Sequence, residues 1–147
     1  MFGQLTAPLR PIPNTSAMEG LTKEDSSRIG FVVSALMTGA IDSPEVGGWA
    51  EHVLSTSLHY PPWIIDLLDF QEAAFHIYRV IGFAPSSGLT SSQDRALAGI
   101  ALLRGREIDT TVVSVAAAKR ALISHPEILT RFQAEFPSIV LPESLLS

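Results

Sequence analysis

Cysteine is absent from the 147-residue chain. Its absence excludes a disulfide framework, a thiolate metal site and a cysteine nucleophile, and it is consistent with a reducing compartment. Charged residues are also scarce, at 17% of the chain against 46% hydrophobic residues. This composition supplies enough apolar surface for a folded core, and the length is typical of one domain. We therefore expect a single globular domain.

Segments that would direct the chain into a membrane are missing as well. Residues 1 to 8 do not combine a cationic start with a continuous apolar core, as a signal peptide would. The longest apolar-rich run, residues 29 to 41, is interrupted by Ser34, Thr38 and Gly39 and is too short to span a bilayer. A basic amphipathic helix with aromatic anchors is also lacking. We predict a cytoplasmic protein with no membrane partner.

Positive charge is missing from a long central segment. Between Ile29 and Tyr78 there is no lysine or arginine, but there are six carboxylates. The whole chain carries −5, so this segment carries −6 and the remainder +1. The six are Asp42, Glu45, Glu51, Asp66, Asp69 and Glu72. Because a field of one sign accelerates the encounter with a partner of opposite sign, we expect an acidic surface that binds a cationic partner.

Nucleic acids and nucleotides are not expected partners. The chain has 10 basic residues against 15 acidic ones, whereas phosphate contacts depend on lysine and arginine. A glycine-rich phosphate loop is also absent, because Gly47 and Gly48 lie inside a helical pattern and Gly99 is isolated. The oligomeric state is left open by the sequence.

Residues suited to catalysis or metal binding are few. The four histidines, at positions 52, 59, 76 and 125, lack the spacing of a zinc motif and are interpreted as surface or helix-end imidazoles. Asp66, Asp69 and Glu72 are spaced by three, but carboxylates alone make a thin metal site and more often form a solvated face. We therefore predict a protein that is not an enzyme, with no catalytic residues, no metal and no cofactor.

Caps, prolines and glycines divide the chain into helices. Residues 1 to 20 are proline-rich and predict an extended leader, and residues 21 to 147 predict one helical domain. The first predicted helix begins at a capping box formed by Thr22 and Asp25 and ends at Gly39, and the second begins at the N-cap Ser43 and continues through Leu54. Two shorter helices are predicted over residues 63–69 and 71–81. The last three are predicted from a capping box at Thr90 and Gln93 to Arg104, over residues 107–123, and from Pro126 to Phe136. The fold class predicted is all-α, a compact domain of six or seven helices with a proline-rich leader.

The sequence does not determine the local structure at two places. Gly47 and Gly48 each weaken the second helix by up to about 1 kcal/mol relative to alanine, so we expect compensation from packing at Trp49 or from a closely approaching backbone. In residues 108–115, the run from Thr110 to Val113 favours a strand, whereas the apolar spacing favours a helix. We predict a helix.

The stretch from His59 to Phe70 has the composition of a protein-binding segment. It combines Tyr60 and Trp63, residue types enriched at binding hot spots, with a rigid Pro-Pro turn and two acids. Most of its apolar side chains are expected in the core, and Tyr60, Asp66 and Asp69 on the surface. The predicted partner-binding residues are Asp42, Glu45, Glu51, Tyr60, Asp66, Asp69 and Glu72.

A short, acidic, cysteine-free helical protein with the stretch Tyr60-Pro61-Pro62-Trp63-Ile64-Ile65-Asp66-Leu67-Leu68-Asp69 resembles bacterial immunity proteins of contact-dependent growth inhibition systems. The resemblance implies a cytoplasmic protein that binds and neutralises the C-terminal domain of a cognate toxin. A toxin that cuts nucleic acid is cationic, so an acidic inhibitor fits its field. The expected partner is therefore a basic nuclease domain.

Two other functions are compatible with the sequence. The first is a small helical enzyme or metal-dependent regulator that uses Asp66, Asp69, His59 and His76. The second is a generic adaptor that docks a helix of an unrelated partner in an apolar groove. An inhibitor that depends on its acids should associate more slowly as salt rises, whereas an adaptor should tolerate charge reversal.

Overall fold

The computed structural model describes residues 19–142, and over this range the protein is an all-α, single compact domain without strands. We number the seven α-helices in chain order. They are α1 (Ser27–Met37), α2 (Ser43–Thr56), α3 (Trp63–Asp66), α4 (Ile77–Ile81), α5 (Ser91–Leu103), α6 (Val115–Ser124) and α7 (Pro126–Glu135), with a 3₁₀ turn at Ala74–His76. The predicted fold class is confirmed. Residues 1–18 of the predicted leader lie outside the described range, so its boundary stays a prediction.

α1 is buried along most of its length. Its residues Ile29, Phe31 and Val32 are fully buried. The predicted start at Thr22 is wrong, because the Asp25 N–H donates to the Thr22 hydroxyl at 3.1 Å and closes a separate turn. The helix begins five residues later, at Ser27. It ends where predicted, since Gly39 follows it with φ of +88°.

α2 begins with a capping box one residue earlier than predicted. The N-cap is Asp42 rather than Ser43, because the Asp42 carboxylate accepts from the Glu45 N–H at 3.0 Å and the Glu45 carboxylate accepts from the Asp42 N–H at 3.0 Å. The Ser43 hydroxyl donates instead to the carbonyl of Glu72 at 2.7 Å. These bonds place residues 71–73 beside the start of α2.

The predicted helices over residues 71–81 and 107–123 are only partly correct. The first is shortened to the 3₁₀ turn and α4. The second forms only from Val115, because the Asp109 carboxylate accepts from the Thr111 N–H at 3.0 Å and stabilises a turn. Residues 108–113 are thus neither helix nor strand.

α5, α6 and α7 pack together as one unit. The predicted capping box at Thr90 and Gln93 is confirmed, with the Gln93 N–H 3.1 Å from the Thr90 hydroxyl. Gly99 lets α6 approach closely, since a Cβ there would lie 2.7 Å from the Ala118 carbonyl oxygen. Pro126 begins α7 as predicted, and Phe132 is fully buried. This unit forms one side of the core.

A polar tie joins the end of α7 to the first two helices. The Glu135 carboxylate accepts from the Trp49 indole N–H at 2.6 Å and from Arg28 Nε at 2.7 Å. These two hydrogen bonds hold α1, α2 and α7 together in one compact core.

No residue among 19–142 belongs to a helix of the length and apolarity that crossing a membrane requires.

Candidate protein-binding surface

Burial of the side chains in residues 61–70 repeats every three residues. The N–H groups of Ile64, Ile65, Leu67, Leu68 and Phe70 each donate to the carbonyl three residues earlier, at 3.1 to 3.2 Å. Because such turns repeat every three residues, side chains three apart eclipse one another. Ile64, Leu67 and Phe70 thus form the inner row and are buried. Ile65 and Leu68 form an outer apolar row and Asp66 and Asp69 form an acidic row, and all four are exposed.

Large apolar side chains of the same chain segment are exposed as well. Leu58, Ile65, Leu68 and Phe75 are 88%, 52%, 40% and 63% exposed. We call these four residues, with Asp66, Asp69 and Glu72, the 58–75 surface. None of the four apolar residues was predicted from the sequence as a binding residue. The signal that could have found two of them is the three-residue spacing itself, which puts Ile65 and Leu68 in a row separate from the core row.

The remaining aromatic residues of this segment belong to the core edge. Tyr60, predicted as a surface residue, is half-buried and packs against the core. Trp63 is also half-buried, with its ring edge-on to Phe83 at a centroid distance of 6.2 Å. Ile64 is fully buried, as the core reading of the segment predicted. These residues support the exposed rows from beneath.

Asp42 and Glu45, two of the predicted binding residues, already form ion pairs with arginines of the same chain. Arg106 Nη2 lies 3.2 Å from Asp42 and 3.1 Å from Glu45, and Arg104 binds Glu45 through both terminal nitrogens. Burial by itself raises the pKa of Glu45, but hydrogen bonds from Arg104 and the Asp42 N–H and the charges of both arginines outweigh it, so the pKa is lowered. The start of α2 is therefore close to neutral overall.

The other four acids differ in their surroundings. Over residues 19–142, Glu51, Asp66 and Asp69 are exposed and have no ion-pair partner or side-chain hydrogen bond. Glu72 Oε1 lies 3.2 Å from His76 Nδ1. That nitrogen is buried and has no hydrogen bond of good geometry. The unpaired negative charge of the central segment is thus concentrated on Asp66 and Asp69 of the 58–75 surface and on Glu51 of α2.

Histidines and acids do not converge into a metal centre in the part of the chain that the structure describes. No group of three or more histidine, aspartate or glutamate side chains there is placed to hold a metal ion. Asp66 and Asp69 with His59 and His76 therefore gain no support as a metal site. The chemistry that the 58–75 surface offers is apolar contact flanked by carboxylates.

In comparisons with known proteins, no protein-family model, curated protein or solved structure matches this chain.

Proposed function

We propose that the chain is a binding protein that neutralises a cationic protein partner through the 58–75 surface. One observation carries the proposal: exposed Ile65 and Leu68 lie beside Asp66 and Asp69, which have no cationic partner in residues 19–142. Neighbouring apolar side chains that stay exposed on a folded domain are typical of an interaction site. The carboxylates make that site negatively charged.

The two kinds of side chain would act at different stages of binding. The carboxylates attract a cationic partner from a distance and orient it, which raises the association rate. Leu58, Ile65, Leu68 and Phe75 would then be buried against it and slow its dissociation, since apolar burial contributes about 25 cal/mol per Å² before the costs of association. Glu51 and Glu72 would add charge at the edge.

The partner that fits this chemistry best is a basic nuclease toxin domain. Such a domain is cationic because it binds phosphates, so an acidic surface competes for the same field. In this proposal the protein is a cytoplasmic immunity protein of the contact-dependent growth inhibition type. It acts by binding, with no cofactor and no catalytic step. Asp42 and Glu45 are left out of the contact because their charges are already paired.

The test is co-purification with the tagged chain from its native cells at low salt, followed by measurement with the purified partner. We expect a basic nuclease domain whose activity is blocked by the protein and whose association slows as salt rises. The double variant Asp66→Lys/Asp69→Lys should lower the association rate about tenfold or more. The matched double variant Glu24→Lys/Glu107→Lys makes the same charge change at exposed sites outside the 58–75 surface.

Either of two results would contradict the proposal. The first is association that does not respond to salt, since steering between charged surfaces is screened by ions. The second is an equal loss of association in both double variants, which would report net charge rather than this surface. A partner that binds both variants as tightly as the wild type would favour the adaptor alternative.

A further inference from the structure

Ser92, His125 and Glu127 are connected in a line by hydrogen bonds. His125 Nε2 lies 2.8 Å from the Ser92 hydroxyl, and His125 Nδ1 lies 2.9 Å from Glu127 Oε2. Gln93 Nε2 also donates to Glu127 Oε2, at 3.3 Å. Hydrogen bonds from its own backbone N–H, from His125 and from Gln93 lower the pKa of Glu127.

The direction of these bonds follows from the carboxylate. An ionised Glu127 only accepts hydrogen bonds, so His125 Nδ1 must carry the proton and donate it. In the neutral imidazole, Nε2 is then unprotonated and accepts from the Ser92 hydroxyl. A nucleophile bonded to a base, with the base oriented by a third group, is the arrangement that activates a serine.

We infer that Ser92, His125 and Glu127 form a hydrolytic triad that acts on carboxylic esters. This inference departs from the sequence-based prediction that the chain is not an enzyme, while His125 does lie at a helix end, as predicted. It is independent of the proposed binding function, because none of the three residues belongs to the 58–75 surface. Failure of one proposal therefore leaves the other unaffected.

The reaction would proceed in two displacements. The Ser92 oxygen attacks the ester carbonyl carbon while its proton passes to His125 Nε2, and collapse of the tetrahedral adduct breaks the bond to the alcohol, which takes that proton. Water then attacks the acyl-serine, giving a proton to His125, and release of the carboxylic acid returns the proton to Ser92. Glu127 is a positioning residue that fixes the imidazole tautomer and stabilises the imidazolium.

The local fold explains why these residues meet. Ser92 lies in the first turn of α5, and His125 and Glu127 lie at the start of α7, so two helix beginnings face each other. The N–H groups of Ser91 and Ser92 precede the first backbone hydrogen bond of α5, which is from the Asp94 N–H to the Thr90 carbonyl at 2.9 Å. Neither has an acceptor within residues 19–142, so both are available to a developing oxyanion.

The first test is covalent labelling of the full chain with a fluorophosphonate, located by peptide mass spectrometry. We expect the label on Ser92 in the wild type and in Ser124→Ala, which changes an exposed serine at the end of α6. Ser92→Ala should lose it, and His125→Ala should label about 100-fold more slowly, the usual contribution of a general base. Circular dichroism melts of every variant check that it is folded.

A second test separates serine catalysis from attack by the imidazole alone. Hydrolysis of p-nitrophenyl acetate should show an acyl-enzyme burst that Ser92→Ala removes. Glu127→Gln should lower the pH at which labelling rises, because the charge that favours the imidazolium is lost. The inference is overturned by absent labelling, by label on other serines at equal rate, by full hydrolysis in Ser92→Ala, or by an unmoved pH profile in Glu127→Gln.

Discussion

Arg104, just after the end of α5, places its two terminal nitrogens on the two carboxylate oxygens of Glu45, at 2.8 and 2.5 Å. One of them, Nη1, also donates to the carbonyl of Ala40 at 2.6 Å. The side chains of Arg104 and Glu45 are only 14% and 23% exposed. Bidentate pairs shielded in this way are among the stronger charge-assisted contacts. This pair therefore fixes the start of α2 against the end of α5.

Replacement of the two arginines should have unequal effects. Arg104→Met leaves Glu45 largely shielded and without its main partner, so we expect unfolding free energy to fall by about 1–3 kcal/mol. Arg106→Met removes single contacts of 3.1 and 3.2 Å at a more exposed site and should cost less than about 1 kcal/mol. Urea denaturation of both variants measures the difference, and equal losses would contradict it.

Stability should also depend on pH through Glu45. Its folded-state pKa lies below the ordinary value of 4.5, so the ionised group stabilises the fold above that pH, and the contribution is lost as pH falls through the folded-state pKa. The stability difference between wild type and Glu45→Gln should thus be largest near neutrality and shrink in acid. Glu51→Gln, an exposed carboxylate of the same helix, should change stability by less than about 0.5 kcal/mol.

The adjacent glycines of α2 should respond in opposite ways to alanine. A Cβ at Gly47 would lie 2.4 Å from the Leu68 carbonyl oxygen, whereas a Cβ at Gly48 meets nothing within 4 Å. Gly48→Ala should therefore stabilise the protein by about 0.5–1 kcal/mol through helix propensity. Gly47→Ala must push the backbone of Leu68 away and should destabilise the protein by about 1–3 kcal/mol. Thermal melts give both signs, and two changes of the same sign would refute the assignment.

The helices were predictable from the sequence where caps and periodicity agree, as at Thr90 and Gln93. Boundaries failed where a side chain had two uses. Thr22 binds Asp25 to close a turn rather than to start α1, and Ser43 binds the Glu72 carbonyl, so Asp42 caps α2. The sequence also could not show that the backbone of Leu68 packs against Gly47 and not against Gly48, because that contact depends on how the two segments fold together. Local pattern carries none of this long-range information.

The candidate surface was predictable in charge but not in pairing. The deficit of basic residues between Ile29 and Tyr78 was visible in the sequence, and Asp66 and Asp69 are indeed exposed. The neutralisation of Asp42 and Glu45 was not visible, because Arg104 and Arg106 lie about 60 residues away in the chain and are joined to α2 only by folding. The line from Ser92 to Glu127 was missed for the same reason, since Ser92 and His125 are 33 positions apart.

Removal of the Glu135 carboxylate should loosen the tie between the helices. Glu135→Ala leaves the Trp49 indole N–H and Arg28 without their acceptor, and we expect a loss of about 2–3 kcal/mol. Glu135→Gln keeps an acceptor oxygen but no charge and should recover part of that loss. Denaturation followed by tryptophan fluorescence reports both effects. Equal losses in the two variants would mean that the charge alone provides the stability.

The final prediction concerns the two apolar rows of residues 61–70, which separate folding from binding. Leu67 belongs to the inner row and is fully buried, so Leu67→Ala should cost about 2–5 kcal/mol of stability. Leu68 belongs to the outer row and is 40% exposed, so Leu68→Ala should cost less than about 1 kcal/mol. If the outer row contacts the partner, Leu68→Ala should speed dissociation while leaving association nearly unchanged, because apolar contacts form after the encounter. A fully stable Leu68→Ala protein with an unchanged dissociation rate would remove Leu68 from the interface, and a large stability loss would refute the three-residue period that places it outside.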